Sequence, residues 1–161
     1  MKGLFFLVLM VTVFSAPAQK CAVKNVYAYK AEQMPGTIRV NDKGEQVSPK
    51  SFVTYFIYAE VVGSIKWAKA WIDGKSYSVA TKEITQFPLK VGEESINQKA
   101  ILIDHKPGIK LYKCELVPDD NNISLPKNAG AAKVILKGFC RKKTIYKSTN
   151  NVVNLYVNPA V

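Results

Sequence analysis

The sequence predicts an all-β protein, an antiparallel β-sandwich of about seven to nine strands, with a small β-barrel as the alternative. Three observations predict this class. Apolar residues alternate along many short segments, turn residues recur about every ten to fifteen positions, and no stretch combines sustained helical spacing with helix caps. The length of 161 residues fits one domain, and 48% apolar with 22% charged residues is typical of a globular chain. Disordered chains, collagen-like chains and large multi-domain enzymes are therefore excluded.

The N-terminal segment has the composition of a secretory signal peptide. A basic start at residues 1–3 precedes an apolar run at residues 4–14, and Ala16 and Ala18 occupy the positions that a signal peptidase reads. The run is shorter than the ~20 residues that a membrane span needs, which disfavours an uncleaved anchor, and a buried N-terminal strand is the other alternative. The sequence thus predicts a signal peptide over residues 1–18, and one β-sandwich domain over residues 19–161 without an integral membrane span. The predicted location is secreted, periplasmic or in the cell envelope.

The predicted strands follow one another along the domain. Residues 22–30 alternate well enough for a first strand, whereas the Pro, Gly and Asp content of residues 32–50 predicts a loop with a short strand at 37–40. Residues 51–62 are apolar on both alternating faces, which indicates a central strand. Asp73-Gly74 suits a two-residue type I′ turn between strands at residues 65–72 and 75–80. The remaining predicted strands are 89–91, 99–104, 109–117, 133–146 and 152–157, with a last hairpin turn at residues 148–151.

The order of these elements resembles an immunoglobulin-like domain. Trp67 follows the second long strand, and a cysteine-bearing strand precedes a C-terminal hairpin. The resemblance covers residues 51–157 and implies an immunoglobulin-like architecture in the broad sense. The chain departs from the antibody pattern because no cysteine precedes Trp67 on the earlier strand, and Cys114 and Cys140 both follow it. The resemblance therefore implies nothing about an antibody-like function.

Three cysteines remain after the predicted cleavage, so one is left over if two of them pair. Alternation places Cys114 and Cys140 with the apolar residues of their strands, which predicts a Cys114–Cys140 disulfide. Two buried thiols that never meet are the alternative. Cys21 lies beside the predicted mature terminus, so we expect it to be an exposed thiol or to form an intermolecular bridge. With a single histidine, His105, and no CxxC or HxxxH spacing, the sequence predicts no metal site and no cofactor.

Residues suited to catalysis are few. His105 precedes a Pro-Gly turn and is interpreted as an exposed turn histidine. The adjacent acids Glu93–Glu94 and Asp119–Asp120 are interpreted as solvated loop residues, because glycosidases need two separated carboxylates across a cleft. The chain has no GxSxG nucleophile motif and no glycine-rich phosphate loop. We therefore expect no catalytic residue and no enzymatic activity, with a small secreted hydrolase or inhibitor as an alternative.

The hairpin around Asp73-Gly74 has one pattern that suggests binding. If Ala68 and Ala70 face the core, Trp67, Lys69 and Trp71 lie together on the opposite face. Two indoles that flank a lysine on a surface form a platform that stacks on sugars or bases, or that anchors a protein partner. The alternative is that both tryptophans belong to the core, because large aromatic side chains bury much apolar area.

The net charge of +11 indicates attraction to polyanions such as acidic glycans, lipid head groups or DNA. Lysine outnumbers arginine by 21 to 2, which argues against dedicated bidentate phosphate recognition. The alternative is that scattered lysines serve solubility and block edge-to-edge strand pairing. The overall prediction is an exported, non-enzymatic module with a structural or binding role in the cell envelope or secretome. Its partner is undetermined among proteins, envelope glycans and polyanions. The residues predicted for polyanion binding are Lys137, Arg141, Lys142, Lys143 and Lys147.

Overall fold

The computed structural model describes residues 21–33, 40–47, 51–94, 99–120, 123–126 and 132–157. These residues form ten strands, and the predicted all-β class is confirmed. In the described chain, no helix is long and apolar enough to cross a membrane. The predicted signal peptide lies outside these residues, as does the predicted strand at residues 37–40 apart from Val40, which bridges Gln46. The strands are β1 (Ala22–Gln33), β2 (Phe52–Val62), β3 (Lys66–Ile72), β4 (Lys75–Ile84), β5 (Leu89–Glu93), β6 (Ala100–Ile103), β7 (Lys110–Pro118), β8 (Val134–Cys140), β9 (Lys143–Thr149) and β10 (Val152–Leu155).

Eight of the strands form one curled sheet, and β5 and β6 form a separate two-stranded sheet. The order in the large sheet is β10-β1-β2-β7-β4-β3-β8-β9, and every pairing is antiparallel except that of β1 with β10. Asn150 and Asn151 carry the chain from β9 at one edge to β10 at the other, so the two edges come close together. The result is half-barrel-like, between the sandwich and the barrel that the sequence predicts.

Two predicted features of the C-terminal third are wrong. The predicted strand at residues 133–146 is two strands, because the chain turns at Arg141 and Lys142, where Arg141 has a left-handed φ of 55°. Arginine is not a usual turn residue, so the sequence carries no signal here. The predicted hairpin at residues 148–151 does not form, because β10 pairs with Ala28–Ala31 of β1 instead of with β9.

The core lies inside the curl of the large sheet. β2 shows why the sequence predicts a central strand: Ile57, Ala59 and Val61 point into this core, whereas Phe56 and Tyr58 pack on the opposite face. Burial of both faces explains the continuous apolar run of this strand. The most deeply buried side chains of the inner core are Ile57, Val61, Ile72, Val134 and Leu136.

Two separate segments cover the outer face of the sheet. The β5–β6 hairpin packs over β1, β2 and β7, where Ile103 joins Tyr29, Tyr58 and Leu111 in a second apolar cluster. Over β3 and β4 lies the chain that follows β7, here called the strap (residues 119–120 and 123–126). The indole nitrogen of Trp71 donates a hydrogen bond to the carbonyl oxygen of Ile123 in the strap, at 3.0 Å.

Candidate functional site

The two tryptophans of the β3–β4 hairpin are both buried, each with 3% of its surface exposed. The predicted turn at Asp73 and Gly74 is confirmed, with φ values of 48° and 81°. A bulge in β3, however, changes the alternation: Trp67 pairs with Gly138 while Lys69 pairs with Lys137, so Ala68 is the extra residue.

The bulge determines where each predicted platform residue points. Trp67 joins the inner core, whereas Lys69 and Trp71 lie on the outer face, where the strap covers Trp71. The structure therefore does not bring Trp67, Lys69 and Trp71 together on an exposed surface. A β-bulge cannot be recognised from the alternation of apolar residues along a strand. For this reason the sequence predicts that the two indoles lie on one face.

Lys69 binds the strap through Asp119. Its ammonium group donates to Asp119 Oδ1 at 2.7 Å, and the Ser78 hydroxyl donates to the same oxygen at 2.7 Å. These hydrogen bonds, that from Lys69 first, lower the pKa of Asp119 from its ordinary value of 3.8. The interpretation of Asp119 as a solvated loop acid is wrong, because its side chain is only 11% exposed and fastens the strap to the sheet.

A disulfide is present, but the predicted pairing is wrong. Cys21 is bonded to Cys140 with Cα atoms 6.1 Å apart, and Cys114 is a free, buried thiol. Two strands, β4 and β3, separate β7 from β8 in the sheet, so Cys114 does not reach Cys140. The curl instead brings the start of β1 to the end of β8. Burial raises the pKa of the Cys114 thiol to about 12, which makes it a poor nucleophile at neutral pH.

His105 is exposed and lies at an open cleft of about 460 Å³ beside the β6–β7 connection. Its ring packs against Phe87 with centroids 5.0 Å apart, and it makes no hydrogen bond to any residue in the described part of the chain. The charged groups nearest in the cleft lining, Glu83 and Lys110, form an ion pair with each other at 3.1 Å. The structure thus gives His105 no orienting carboxylate and no nucleophile among the described residues.

The structure reveals one buried charge that the sequence analysis missed. Glu60 on β2 has a side chain that is 4% exposed, and it accepts hydrogen bonds from the Tyr27 hydroxyl at 2.9 Å and from Lys106 at 2.8 Å. The hydrogen bond to Glu60 is the main cause that raises the pKa of Lys106. This contact holds the β6–β7 connection on the sheet. The signal was available, since Glu60 is the only charged residue between positions 51 and 62.

The five predicted polyanion-binding residues lie on the β8–β9 hairpin, but they do not share one face. Arg141 and Lys142 form the turn. Lys137 points to the outer face, whereas Lys143 and Lys147 pair with Cys140 and Leu136 and share the inward-facing side of this edge of the sheet. We call these five residues, on β8, β9 and the turn between them, the basic hairpin.

No residue of the basic hairpin has a carboxylate within 4.0 Å in the part of the chain that the structure describes. Residues 121–161 contain seven lysines and arginines and not one aspartate or glutamate. Elsewhere, some exposed lysines meet acids, since Lys90 contacts Glu93 at 2.9 Å and Lys110 contacts Glu83. Other exposed lysines have no carboxylate within 4.0 Å among the described residues, but they are scattered and not gathered on one hairpin: Lys24, Lys43, Lys75, Lys82 and Lys99. The lack of aspartate and glutamate in residues 121–161 is a further sequence feature that favours a positive potential in this part of the chain.

No family model, curated protein or solved structure matches the chain.

Proposed function

We propose that the protein is an exported, non-enzymatic binding module that holds polyanions on its basic hairpin. The observation that carries the proposal is the lack of acidic partners, among the described residues, for Lys137, Arg141, Lys142, Lys143 and Lys147. A carboxylate next to a lysine cancels most of the positive potential around that lysine. Five cations without such a partner on one hairpin add up to a positive potential that attracts an anionic ligand.

The residue types indicate the kind of recognition. Four of the five cations are lysines, which act as flexible point charges, and only Arg141 offers the planar fork that binds phosphate or carboxylate in a bidentate manner. Binding of a polymer by such groups releases counterions and depends steeply on salt. The expected specificity is for charge density along a polymer, and the expected affinity is modest at physiological salt.

The disulfide supports the proposal because it fixes the hairpin. Cys140 is the last residue of β8, directly before Arg141, and its bond to Cys21 ties that point to the start of β1. A turn that is already held in place loses less conformational freedom when it binds. The surface that meets the polyanion is thus pre-organised on the N-terminal side of the turn.

Two features support export. The N-terminal segment has the pattern of a cleaved signal peptide, and a disulfide persists in oxidising compartments such as the periplasm or the cell exterior. The polyanions in these compartments include sulfated or carboxylated glycans and released nucleic acids, and anionic lipid surfaces are also present. All of these present the closely spaced negative charges that the basic hairpin attracts.

The proposal is tested by binding to heparin with matched charge variants. The triple variant Arg141→Asn, Lys142→Gln, Lys143→Gln removes three cations, with Asn chosen because it tolerates the left-handed φ of Arg141. The control, Lys90→Gln, Lys110→Gln, Lys113→Gln, removes the same charge from lysines that contact carboxylates. We expect the first variant to bind at least ~10-fold more weakly at 0.1 M salt and the control to stay within about twofold of the wild type. Equal losses in both variants would mean that only net charge matters and would overturn the proposal.

A further inference from the structure

The outer face beside the basic hairpin combines cations with aromatic rings. Lys66 of β3 pairs with Phe139 of β8, and Lys137 of β8 pairs with Tyr146 of β9. Residues that are paired directly across a ladder point to the same side of the sheet, so all four side chains share this face. Neither Lys66 nor Lys137 has a carboxylate within 4.0 Å among the described residues. We call these four residues the aromatic–basic patch.

The two rings of the patch are placed to receive flat groups. Tyr146 is 50% exposed, whereas Tyr29 and Tyr58, on the part of the same outer face that the β5–β6 hairpin covers, are each 5% exposed. Phe139 is half-buried and is the diagonal neighbour of Tyr146, because Phe139 pairs with Thr144, two residues before Tyr146. Diagonal neighbours on adjacent strands stand about 7–8 Å apart, so the rings form two adjacent contact points and not one stacked pair.

A cation lies at the centre of this arrangement. The Lys137 ammonium group is 5.8 Å from the centre of the Phe139 ring, on the same strand, and its cross-strand neighbour is Tyr146. Because this ammonium lies over the Phe139 ring, the half-exposed Tyr146 is the ring of the patch that is open to a stacked ligand, and such a ligand meets the positive charge of Lys137 beside it. The turn residues Arg141 and Lys142 follow Phe139 closely along the chain and extend the positive field beyond the rings.

We propose that the polyanion held by this protein is single-stranded nucleic acid, whose bases stack on Tyr146 and contact Phe139 while its phosphates meet Lys66, Lys137 and the turn. The inference rests on the proposed function, since it names the ligand class of the same surface. Sequence-independent binding of single strands combines a positive surface with exposed aromatic rings, because every base has a π-face and every nucleotide carries a phosphate.

The rings distinguish this ligand from an acidic glycan. A sulfated or carboxylated polymer is satisfied by cations alone, and the turn residues with Lys143 and Lys147 supply them without any ring. A duplex also offers charge, but its bases are stacked on one another and their faces are not available to Tyr146. Only a single strand uses both halves of the patch, the cations and the rings. The experiment therefore separates the contribution of bases from that of phosphates.

The test uses three labelled probes on the mature protein: a 15-nucleotide oligothymidine, an abasic oligonucleotide of the same length and charge, and a heparin fragment. We expect oligothymidine to bind more tightly than the abasic strand. Tyr146→Ala is expected to weaken oligothymidine binding about 5- to 100-fold, as loss of one base–aromatic stack does, while binding of the abasic strand and of heparin changes less than twofold. Tyr146→Phe keeps the ring and is expected to bind like the wild type.

Phe52→Ala is the matched control, because Phe52 is a similarly exposed ring, at 53%, on the distant strand β2. It is expected to leave all three affinities unchanged, and circular dichroism checks that each variant is folded. If the abasic strand binds as tightly as oligothymidine, or if Tyr146→Ala weakens all probes equally, the assignment to single strands is wrong while polyanion binding stands. If none of the three probes binds, both proposals fail.

Discussion

The two ends of the large sheet use their lysines in different ways. Five of the six ion pairs of the described chain lie on β1, β2, β4 and β7, the β5–β6 hairpin and the connection to β7, although Lys24, Lys75 and Lys82 in this region form none. At the β3–β8–β9 end, the single ion pair is that of Lys69 with Asp119, and the basic hairpin has none among the described residues. The ion pairs of the described chain are therefore concentrated at one end of the sheet, and a compact group of five cations without a carboxylate partner lies at the other.

The two segments that cover the outer face are each held to the sheet by an ion pair. Each is fastened by one acid that is shielded from solvent: Glu60 holds the β6–β7 connection through Lys106, and Asp119 holds the strap through Lys69. No comparable cover reaches the aromatic–basic patch in the described chain, where Tyr146 remains half exposed. This uncovered patch also carries Lys66 and Lys137, which have no carboxylate within 4.0 Å among the described residues.

The largest expected effect concerns the disulfide that joins the two ends. Cys21→Ser is expected to lower the free energy of unfolding by about 4–5 kcal/mol, because the bond closes a loop of 119 residues. Denaturant titration measures the change, and Cys114→Ser is the control that leaves the bond intact. Thiol titration of the unfolded wild type is expected to find one free cysteine, which peptide mapping assigns to Cys114. Mapping of the free thiol to Cys21 would contradict the pairing.

We expect a difference in stability between the loss of an ion-paired residue, Glu60, and the loss of a lysine without a carboxylate partner, Lys142. Glu60→Gln is expected to cost about 1–3 kcal/mol of stability, because it weakens charge-assisted hydrogen bonds with Lys106 and Tyr27 in a buried position. Lys142→Gln, in the basic hairpin, is expected to change stability by less than ~0.5 kcal/mol, since no described carboxylate depends on it. Denaturant titration measures both. Equal costs in the two variants would show that the two ends do not differ as described.

A pH effect is expected at the strap. Hydrogen bonds from Lys69 and Ser78 lower the pKa of Asp119 in the folded state below its unfolded value. Their stabilisation is therefore present at pH values above the ordinary aspartate range and is lost as the pH falls through the lowered folded-state pKa. Acidification below the ordinary value of 3.8 is expected to loosen the strap and to shift the emission of Trp71 to the red.

The control for this pH effect is the neighbouring acid. Asp119→Asn is expected to remove the acid-induced shift in emission, whereas Asp120→Asn, at an exposed position, is expected to retain it. An identical acid transition in both variants would show that the responsible carboxylate is not Asp119.

The smallest expected effect is a gain. Lysines that face no carboxylate repel one another, so removal of Lys142 and Lys143 together is expected to raise stability by a few tenths of a kcal/mol at low salt. The gain is expected to vanish at about 0.5 M salt, where charges on the surface are screened. Thermal unfolding at the two salt concentrations measures it. A loss of stability that persists at high salt would show that these lysines contribute to the fold.

The sequence predicts those parts of the fold that depend on local alternation and turn chemistry. The central position of β2 follows from its two apolar faces, and the Asp73-Gly74 turn follows from its need for positive φ. The parts that it misses depend on long-range geometry. The Cys21–Cys140 bond needs the curl that brings β1 to β8, and the bulge at Ala68 turns Trp67 inward without altering the composition of the strand. The five cations of the basic hairpin were visible as a cluster, but their lack of partners needed the structure.

The salt dependence of binding to an anionic polymer shows whether the unpaired cations of β8 and β9 form the binding surface. The affinity for a short DNA duplex is measured between about 0.05 and 0.3 M salt for the wild type, the hairpin variant (Arg141→Asn, Lys142→Gln, Lys143→Gln) and the control variant (Lys90→Gln, Lys110→Gln, Lys113→Gln). We predict that the slope of the logarithm of affinity against the logarithm of salt falls by about 2–3 in the hairpin variant, since each lost phosphate contact accounts for about 0.9, and that the control keeps the wild-type slope. Equal slopes in the wild type and the hairpin variant would contradict the claim that the unpaired cations of β8 and β9 form the binding surface.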